Sequence, residues 1–249
     1  MLLSIITVSF NSSKYIRQTI ASVIGQTFTD LEYIIIDGGS TDGTVDIIKQ
    51  YEHKVNYWMS EPDNGIADAM NKGLSVAKGD YILFLHSDDY LLNAHSIELA
   101  SQHFTPRRDI FLFDIFLEKE GRRILRRPRG LNWWINLKTG VFHQSAICSK
   151  AFFDSIGHFD VNFKIAMDYD IFLRAYRSGI KAQKVHMPIS VMRLTGISSR
   201  LDWPDLQERF REEKLVHFKN CPSLTAYWFY KIYWFLYIPY RKLQTMAKL

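Results

Sequence analysis

The first ninety residues alternate two hydrophobic rhythms. Near-continuous apolar runs, "LSIITVSF" (3–10), "EYIIID" (32–37), "VNYWMS" (55–60) and "DYILFL" (80–85), read as buried strands. Helical spacing fills the gaps: Ile66, Met70, Leu74 and Ala77 fall on one stripe of a helix over 65–78. Asn11 with Ser12 or Ser13 offers cap chemistry for a helix running to about Gly25, and "GGSTDGT" leads into a helix near 44–52. Buried strands alternating with helices predict an α/β protein with a mainly parallel, Rossmann-like sheet flanked by helices.

The second half is less regular. Residues 109–130 read as a hairpin turning near Gly121, and "AMDYDIFLRAYRS" (166–178) as an amphipathic helix stopped by Gly179. Beyond Ser199 a charged helix, "DLQERFREEKLVHF", gives way to the aromatic-rich "LTAYWFYKIYWFLYIPYRKL" (224–243). Pro204 and Pro222 frame the charged helix, so a boundary is expected near residue 200, with a helical extension over 201–249.

Composition narrows this picture. In 249 residues, 47% are hydrophobic and 23% charged, enough apolar material for a core. A net charge of +5 does not imply nucleic acid; an anionic substrate or membrane surface stays open. Cys148 and Cys221 lie far apart and form no C-x-x-C pair, which suggests neither a disulfide framework nor a zinc site and fits a reducing compartment. "MLLSIITVSFNSSKY" reads as a first strand, not a signal peptide, and no stretch of 18 residues is both apolar and uncharged. The bulk of the chain is therefore expected in the cytoplasm.

Polar groups follow each of the four strands: Ser9 and Asn11, then Asp37, then Glu61 and Asp63, then Asp88 and Asp89. Open α/β sheets bind ligands outside the carboxyl ends of their strands, so these groups are expected to converge. Asp88 and Asp89 repel one another unless a cation or hydrogen bonds compensate, and such oxygens suit Mg²⁺ or Mn²⁺. The alternative is a helix cap in solvent. The loop 38–44 is neither a Walker loop nor G-x-G-x-x-G and reads as a turn capped by Thr41 or Asp42, while Asp37 could accept hydrogen bonds from a base or ribose. Asp68 and Lys72 form an i, i+4 ion pair; Asn71 beside them has no evident core role. Asp168 suits the helix dipole at the start of its helix, and would also suit a general base; spacing leaves both open.

Five segments together, "ITVSFNSSKYIRQTIASVIGQTF", "YIIIDGGSTDGT", "EPDNGIADAMNKGL", "GDYILFLHSDD" and "MDYDIFLR", strongly resemble the family 2 glycosyltransferases of GT-A fold, especially bacterial enzymes of lipopolysaccharide, capsule or exopolysaccharide assembly. The resemblance spans about residues 1–200. It implies a catalytic domain there, with a nucleotide-binding half over about 1–90 and an acceptor half over about 91–200. It also implies metal-dependent inverting transfer from a nucleotide-diphosphate sugar, with a UDP-sugar expected, to a glycan or lipid-linked saccharide. By resemblance, Ser9, Phe10, Asn11, Asp37, Asn71 and Asp88 contact the donor, and Asp88 and Asp89 hold Mn²⁺ or Mg²⁺. Asp168 is the base, and His143 and Gln144 lie near the acceptor. Two positions depart from the family pattern: His86 stands where an acid is usual, and Met167 where glutamate is usual.

The tail mixes aromatics with Lys231, Arg241 and Lys242, a composition suited either to a membrane interface at the inner face of the cell membrane or to packing on the domain. The arginines at 122, 123, 126, 127 and 129 would suit anionic lipid or a solvated hairpin equally. Two other activities are compatible with this set: a nucleotidyltransferase acting on sugar phosphates, and a catalytically silent binding subunit.

Overall fold

A computed structural model describes residues 1–105, 108–196 and 202–246. The four predicted strands are β1 (Leu3–Ser9), β2 (Leu31–Asp37), β3 (Tyr57–Ser60) and β4 (Tyr81–Phe84). They pair in parallel in the order β3-β2-β1-β4. The connecting helices are α1 (Ile16–Ile24), α2 (Thr44–Lys49) and α3 (Ile66–Val76). Side chains of β2 alternate between two cores. Ile34 and Ile36 face α3, and Tyr33 and Ile35 face α1 and α2. Both faces are covered, which is why the strands read as unbroken apolar runs. Ile5, Ile6, Ile34 and Ile35 are fully buried, each stabilising the fold by roughly 1.5–3 kcal/mol. Gly73 lets α3 press onto β1, since a Cβ there would lie 2.4 Å from Ile6 Cγ2.

Asn11 and its serine neighbours do not cap α1 through their side chains. Asn11 instead adopts φ +47° and its Oδ1 accepts from the Thr41 N–H (3.0 Å), tying the first loop to the second. Neither Thr41 nor Asp42 is the N-cap of α2, which is Gly43 at φ +93°; Asp42 stands one residue earlier and accepts from the Thr44 N–H (3.1 Å).

Beyond β4 the sheet becomes mixed. It continues through β8 (Ala146–Ser149), β6 (Ile110–Lys119), β9 (Ala182–Arg193) and β5 (Tyr90–Leu91), with β7 (Arg122–Arg126) pairing on β6. The predicted hairpin is β6–β7, turning through Glu120 and Gly121, both at positive φ. β9 gave no sequence signal; Pro188 and charged residues interrupt its pattern, and a bulge against β6 absorbs the irregularity. Helices α4 (Ser96–Ser101), α5 (Lys150–Ile156) and α6 (Met167–Arg177) flank this half, and α6 stops at Gly179 (φ +78°).

The charged and aromatic segments form helices α7 (Trp203–Lys219) and α8 (Leu224–Met246). They enclose a small core of Leu206, Phe210, Tyr230 and Trp234, while Val216 of α7 reaches the main core. The predicted boundary at 200/201 lies outside the described residues.

Candidate active site

The loops after β1, β2, β3 and β4 meet at one edge of the sheet. Asp37, 0% exposed at the end of β2, gathers five hydrogen bonds there. The hydroxyls of Ser9 (2.8 Å), Ser40 (2.6 Å) and Ser60 (2.7 Å) donate to it, as do the N–H groups of Gly39 (3.2 Å) and Ser40 (2.8 Å). A buried carboxylate needs such donors. The loop reaches it because Gly39 takes φ +82° and Gly38 has no side chain; a Cβ on Gly38 would lie 2.5 Å from Asp63 Oδ2. Ser9 and Asp37 are thus brought together. Phe10 beside them is 63% exposed, an aromatic face at the rim of this edge. Asn71 sits apart. Its amide is committed at both ends to the Phe159 backbone (2.8 and 3.0 Å). Lys72 pairs with Glu61 (2.8 Å) more closely than with Asp68 (3.6 Å).

The two adjacent aspartates after β4 face different ways. Asp88 is half-buried with its Oδ2 beside the Thr195 hydroxyl (3.0 Å). Asp89 is 1% exposed, and its Oδ1 accepts from the Arg193 N–H (2.9 Å). Burial, then Asp88, pushes the Asp89 carboxyl well above the usual carboxylate range, against hydrogen bonds from Arg193 and Gln144. Neighbouring groups hold the turn rigid. Thr19 bridges the Ser87 and Asp89 carbonyls (2.7 Å each), and Ser12 meets Ser87 (2.7 Å). Arg193 donates to the Asp88 carbonyl and to Gln18, and lies over the rings of Tyr15 and Tyr90.

Among the described residues no group of three or more His, Cys, Asp or Glu side chains is arranged to hold a metal ion. Asp89 as it stands is turned away from such a role. Asp88 does fit a divalent cation of the kind bound through one or two carboxylates plus substrate phosphates.

His86 links this corner to Asp168. Its Nε2 lies 3.1 Å from His143 Nε2, and His143 Nδ1 lies 3.6 Å from Asp168 Oδ2. Burial, then the neighbouring His143, holds His86 well below the ordinary histidine pKa, so it is neutral. A neutral His143 that presents Nδ1–H towards the carboxylate accepts at Nε2, and His86 is then the donor. Gln144, next in sequence, is buried and turned towards Asp89.

Asp168 stands in the first turn of α6 with its side chain 21% exposed. Glu212 of α7 holds the chain entering that helix, accepting from the N–H groups of Lys164 (2.9 Å), Ile165 (2.7 Å) and Ala166 (2.8 Å). The Ala166 N–H, at the N-cap, is otherwise orphaned at the helix start. Tyr169, after Asp168, is fixed by a directional chain. Trp234 Nε1–H donates to His217 Nδ1 (2.9 Å), so His217 is neutral with its proton on Nε2. Nε2–H then faces the Tyr169 hydroxyl (2.6 Å), which donates to the Ile135 carbonyl (2.7 Å). Burial, then Arg177, lowers the His217 pKa to about 3, in agreement.

The family model for glycosyl transferase family 2 matches residues 4–169. The chain belongs to this family. The sheet edge described above therefore lies within a family 2 glycosyltransferase, and curated relatives agree. An uncharacterized glycosyltransferase of Mycobacterium tuberculosis is 34% identical over 180 residues, covering 69% of this chain and 68% of that one. The chondroitin synthase of Escherichia coli is 31% identical over 192 residues, 72% of this chain but only 27% of that protein. Among solved structures, S. aureus TarS (residues 1–349) in complex with UDP-GlcNAc superposes with a TM-score of 0.68 at 23% identity, covering 87% of this chain and 66% of that one. The Pyrobaculum calidifontis mannosyltransferase PcManGT, in complex with GDP-Man and Mn²⁺, gives 0.71 at 16%, covering 98% and 73%. These structures establish the GT-A-type fold.

Sequence reasoning missed Arg193, Glu212, His217 and Thr19. All four act through backbone groups or buried partners far away in the chain, which no local spacing announces. Thr19 alone had a signal, a polar residue on the apolar stripe of α1.

Proposed function

We propose that this glycosyltransferase moves a sugar from a nucleotide-diphosphate donor to a hydroxyl of a glycan or lipid-linked saccharide, with inversion, in the synthesis of a surface polysaccharide or glycolipid. The observation that carries the reading is the His86–His143–Asp168 alignment beside the open carboxylate of Asp88. It supports a base on one side of a reacting centre and a diphosphate-facing acid on the other.

In this reading Phe10 stacks on the nucleotide base, and Asp37 with Ser9 and Asn11 shapes the pocket around it. Asn71 clamps the Phe159 segment at the pocket's flank. Asp168 takes the proton from the acceptor hydroxyl as its oxygen bonds to the anomeric carbon, and the bond from that carbon to the diphosphate breaks in line. His143 keeps Asp168 oriented and meets the acceptor, while Gln144 positions Asp89. Asp88 would hold Mn²⁺ or Mg²⁺, which when bound neutralises charge on the departing diphosphate; Asp89 supports it from behind. The donors in the TarS and PcManGT complexes support either uracil or guanine as the base.

The C-terminal extension supports a second element of the reading, contact with a membrane at the inner face of the cell. On α8, Leu224, Trp228, Ile232, Phe235, Leu236, Tyr240 and Leu243 are exposed at helical spacing. Residues 224–246 contain no acidic side chain and three basic ones, Lys231, Arg241 and Lys242. No helix among the described residues is long and apolar enough to cross a membrane, so this face would lie along one.

A panel of UDP- and GDP-sugars with Mn²⁺ or Mg²⁺ tests the donor, read by thermal stabilisation and by released nucleoside diphosphate. Stabilisation by none of them would sink the reading; release of inorganic pyrophosphate would replace it with nucleotidyl transfer. The anomeric configuration of the product, read by NMR, decides inversion. For the membrane, the Trp228→Ser/Phe235→Ser variant should stop sedimenting with anionic vesicles, and unchanged sedimentation would remove that element.

A further inference from the structure

The donor and base readings leave Glu118 of β6 unused. Sheet register places it among cations. Glu118 stands opposite Arg193 in the β6–β9 pairing and opposite Arg123 in the β6–β7 pairing. Tyr90 of β5 stands opposite Val191, two residues before Arg193. Paired residues, and residues two apart on one strand, share a face of the sheet, so four neighbouring strands bring these side chains together.

The Glu118 carboxylate is largely buried and engaged at both oxygens. Oε2 accepts from the Tyr90 hydroxyl (2.6 Å) and from Arg123 Nε (3.0 Å). Oε1 faces Arg193 Nε (3.6 Å). Arg123 also donates to the Tyr90 oxygen (2.8 Å). Both guanidiniums lie over the Tyr90 ring, that of Arg193 4.5 Å and that of Arg123 5.6 Å from its centroid.

Arg193 carries this arrangement to the Asp88 corner. Its guanidinium points three ways: Nη1 to the Asp88 carbonyl, Nη2 to Gln18 and Nε to Glu118. The group is planar and rigid, so the partners of two nitrogens fix where the third points. It is also a charge withdrawn from water, its side chain 10% exposed, and such a charge is costly without an acid beside it. Glu118 supplies that acid. Of the other acids at this turn, Asp89 accepts from the Arg193 N–H (2.9 Å). The Asp88 carboxylate has only the Thr195 hydroxyl on it among the described residues (3.0 Å). With Nη1 already on the Asp88 carbonyl, an Arg193 freed from Glu118 has the carboxylate of that same residue as the open acid to turn to. We propose that Glu118 is a positioning residue for Asp88: it holds the Arg193 charge to the β6 side and so leaves the Asp88 carboxylate unpaired, able to take a cation with the donor's diphosphate. The proposal rests on the donor reading for what Asp88 takes. That Glu118 restrains Arg193 does not depend on that reading.

The test uses the full chain and three variants. UDP and GDP, each with excess Mn²⁺, are titrated by calorimetry, and crystal structures locate the Arg193 guanidinium. Glu118→Gln keeps an acceptor for Tyr90 but loses the charge. Its nucleotide affinity should fall about tenfold, with Arg193 in salt-bridge contact with the Asp88 carboxylate. Glu118→Gln/Arg193→Gln removes the invading cation as well and should return to within about threefold of the parent, a recovery that loosening of the fold would not give. Arg123→Gln takes a hydrogen bond from the same carboxylate but leaves Arg193 its acid, and should stay within about twofold. The proposal is overturned if Glu118→Gln binds as the parent does, if Arg123→Gln weakens as much, or if the double variant binds no better than Glu118→Gln. Should Glu118→Gln fail to fold, the double variant, free of the unpaired charge, decides alone, and a loss of about tenfold there overturns the proposal. If neither nucleotide binds the parent, the donor reading falls by itself. The crystal structure of Glu118→Gln then decides the restraint, and an Arg193 still off the Asp88 carboxylate overturns it.

Discussion

Asp37 and Asp168 are both carboxylates at one edge of the sheet, held there by different means. Every donor to Asp37 comes from residues 9–60, within the β1-β2-β3 half. Asp168 depends on distant chain. His86 and His143 align it, Glu212 pins the start of its helix, and Trp234 with His217 fixes the next residue. The Asp37 side is thus locally self-sufficient, whereas the Asp168 side is assembled with the help of α7 and α8. The extension is part of how Asp168, the proposed base, is presented.

Asp168→Asn is the sharpest break between the two. Transfer should fall about 10²- to 10⁴-fold, while donor affinity measured by calorimetry stays at the parent value. Equal loss of both would mean that the halves are not separable.

Glu212→Gln tests the dependence on α7. Hydrogen bonds to a charged acceptor are worth about 1.5–3 kcal/mol each, so the urea midpoint should drop and kcat should fall, with donor affinity retained. A variant with the parent's kcat would make Glu212 a matter of stability alone.

The His217 chain gives the Asp168 side a pH signature. His217 is neutral in the fold with a pKa near 3, and near 6.5 when unfolded. Its folded pKa is depressed, so the unfolded chain takes up the proton first. Stability is therefore full above about pH 6.5 and declines as pH falls, with a slope approaching about 1.4 kcal/mol per unit. Denaturant midpoints from pH 7.5 to 4.5 should show this decline, and His217→Gln should flatten it. Identical slopes in both proteins would remove the assignment.

The smallest effect belongs to the Asp37 side. Asp68→Asn removes the longer of Lys72's two ion pairs, both partly exposed, and should cost under about 1 kcal/mol.

The same contrast explains what could be read in advance. β1 to β4 and their helices were legible because each strand is buried on both faces and each helix carries a simple stripe. Ser9, Asp37 and Asp88 were legible because strand ends in such sheets converge. The opposite orientations of Asp88 and Asp89 were not, since the Arg193 backbone that turns Asp89 inward is more than a hundred residues away. Nor was Asn71's engagement with Phe159, or the meeting of His86 with His143, 57 residues apart. The departure at His86 was visible in the sequence; its partner needed the fold.

The hydrogen bonds from Trp234 to Ile135 all run in one direction, one proton per link. Its first link comes from the aromatic tail. Without Trp234, His217 Nδ1 would keep a bare lone pair on the side that faces α8, and the simplest remedy would be a proton. The tail thus acts as a stopper against charge in the interior, and in a chain cut before α8 His217 should take up its proton closer to the ordinary histidine pKa, so that the pH slope of stability it sets shrinks.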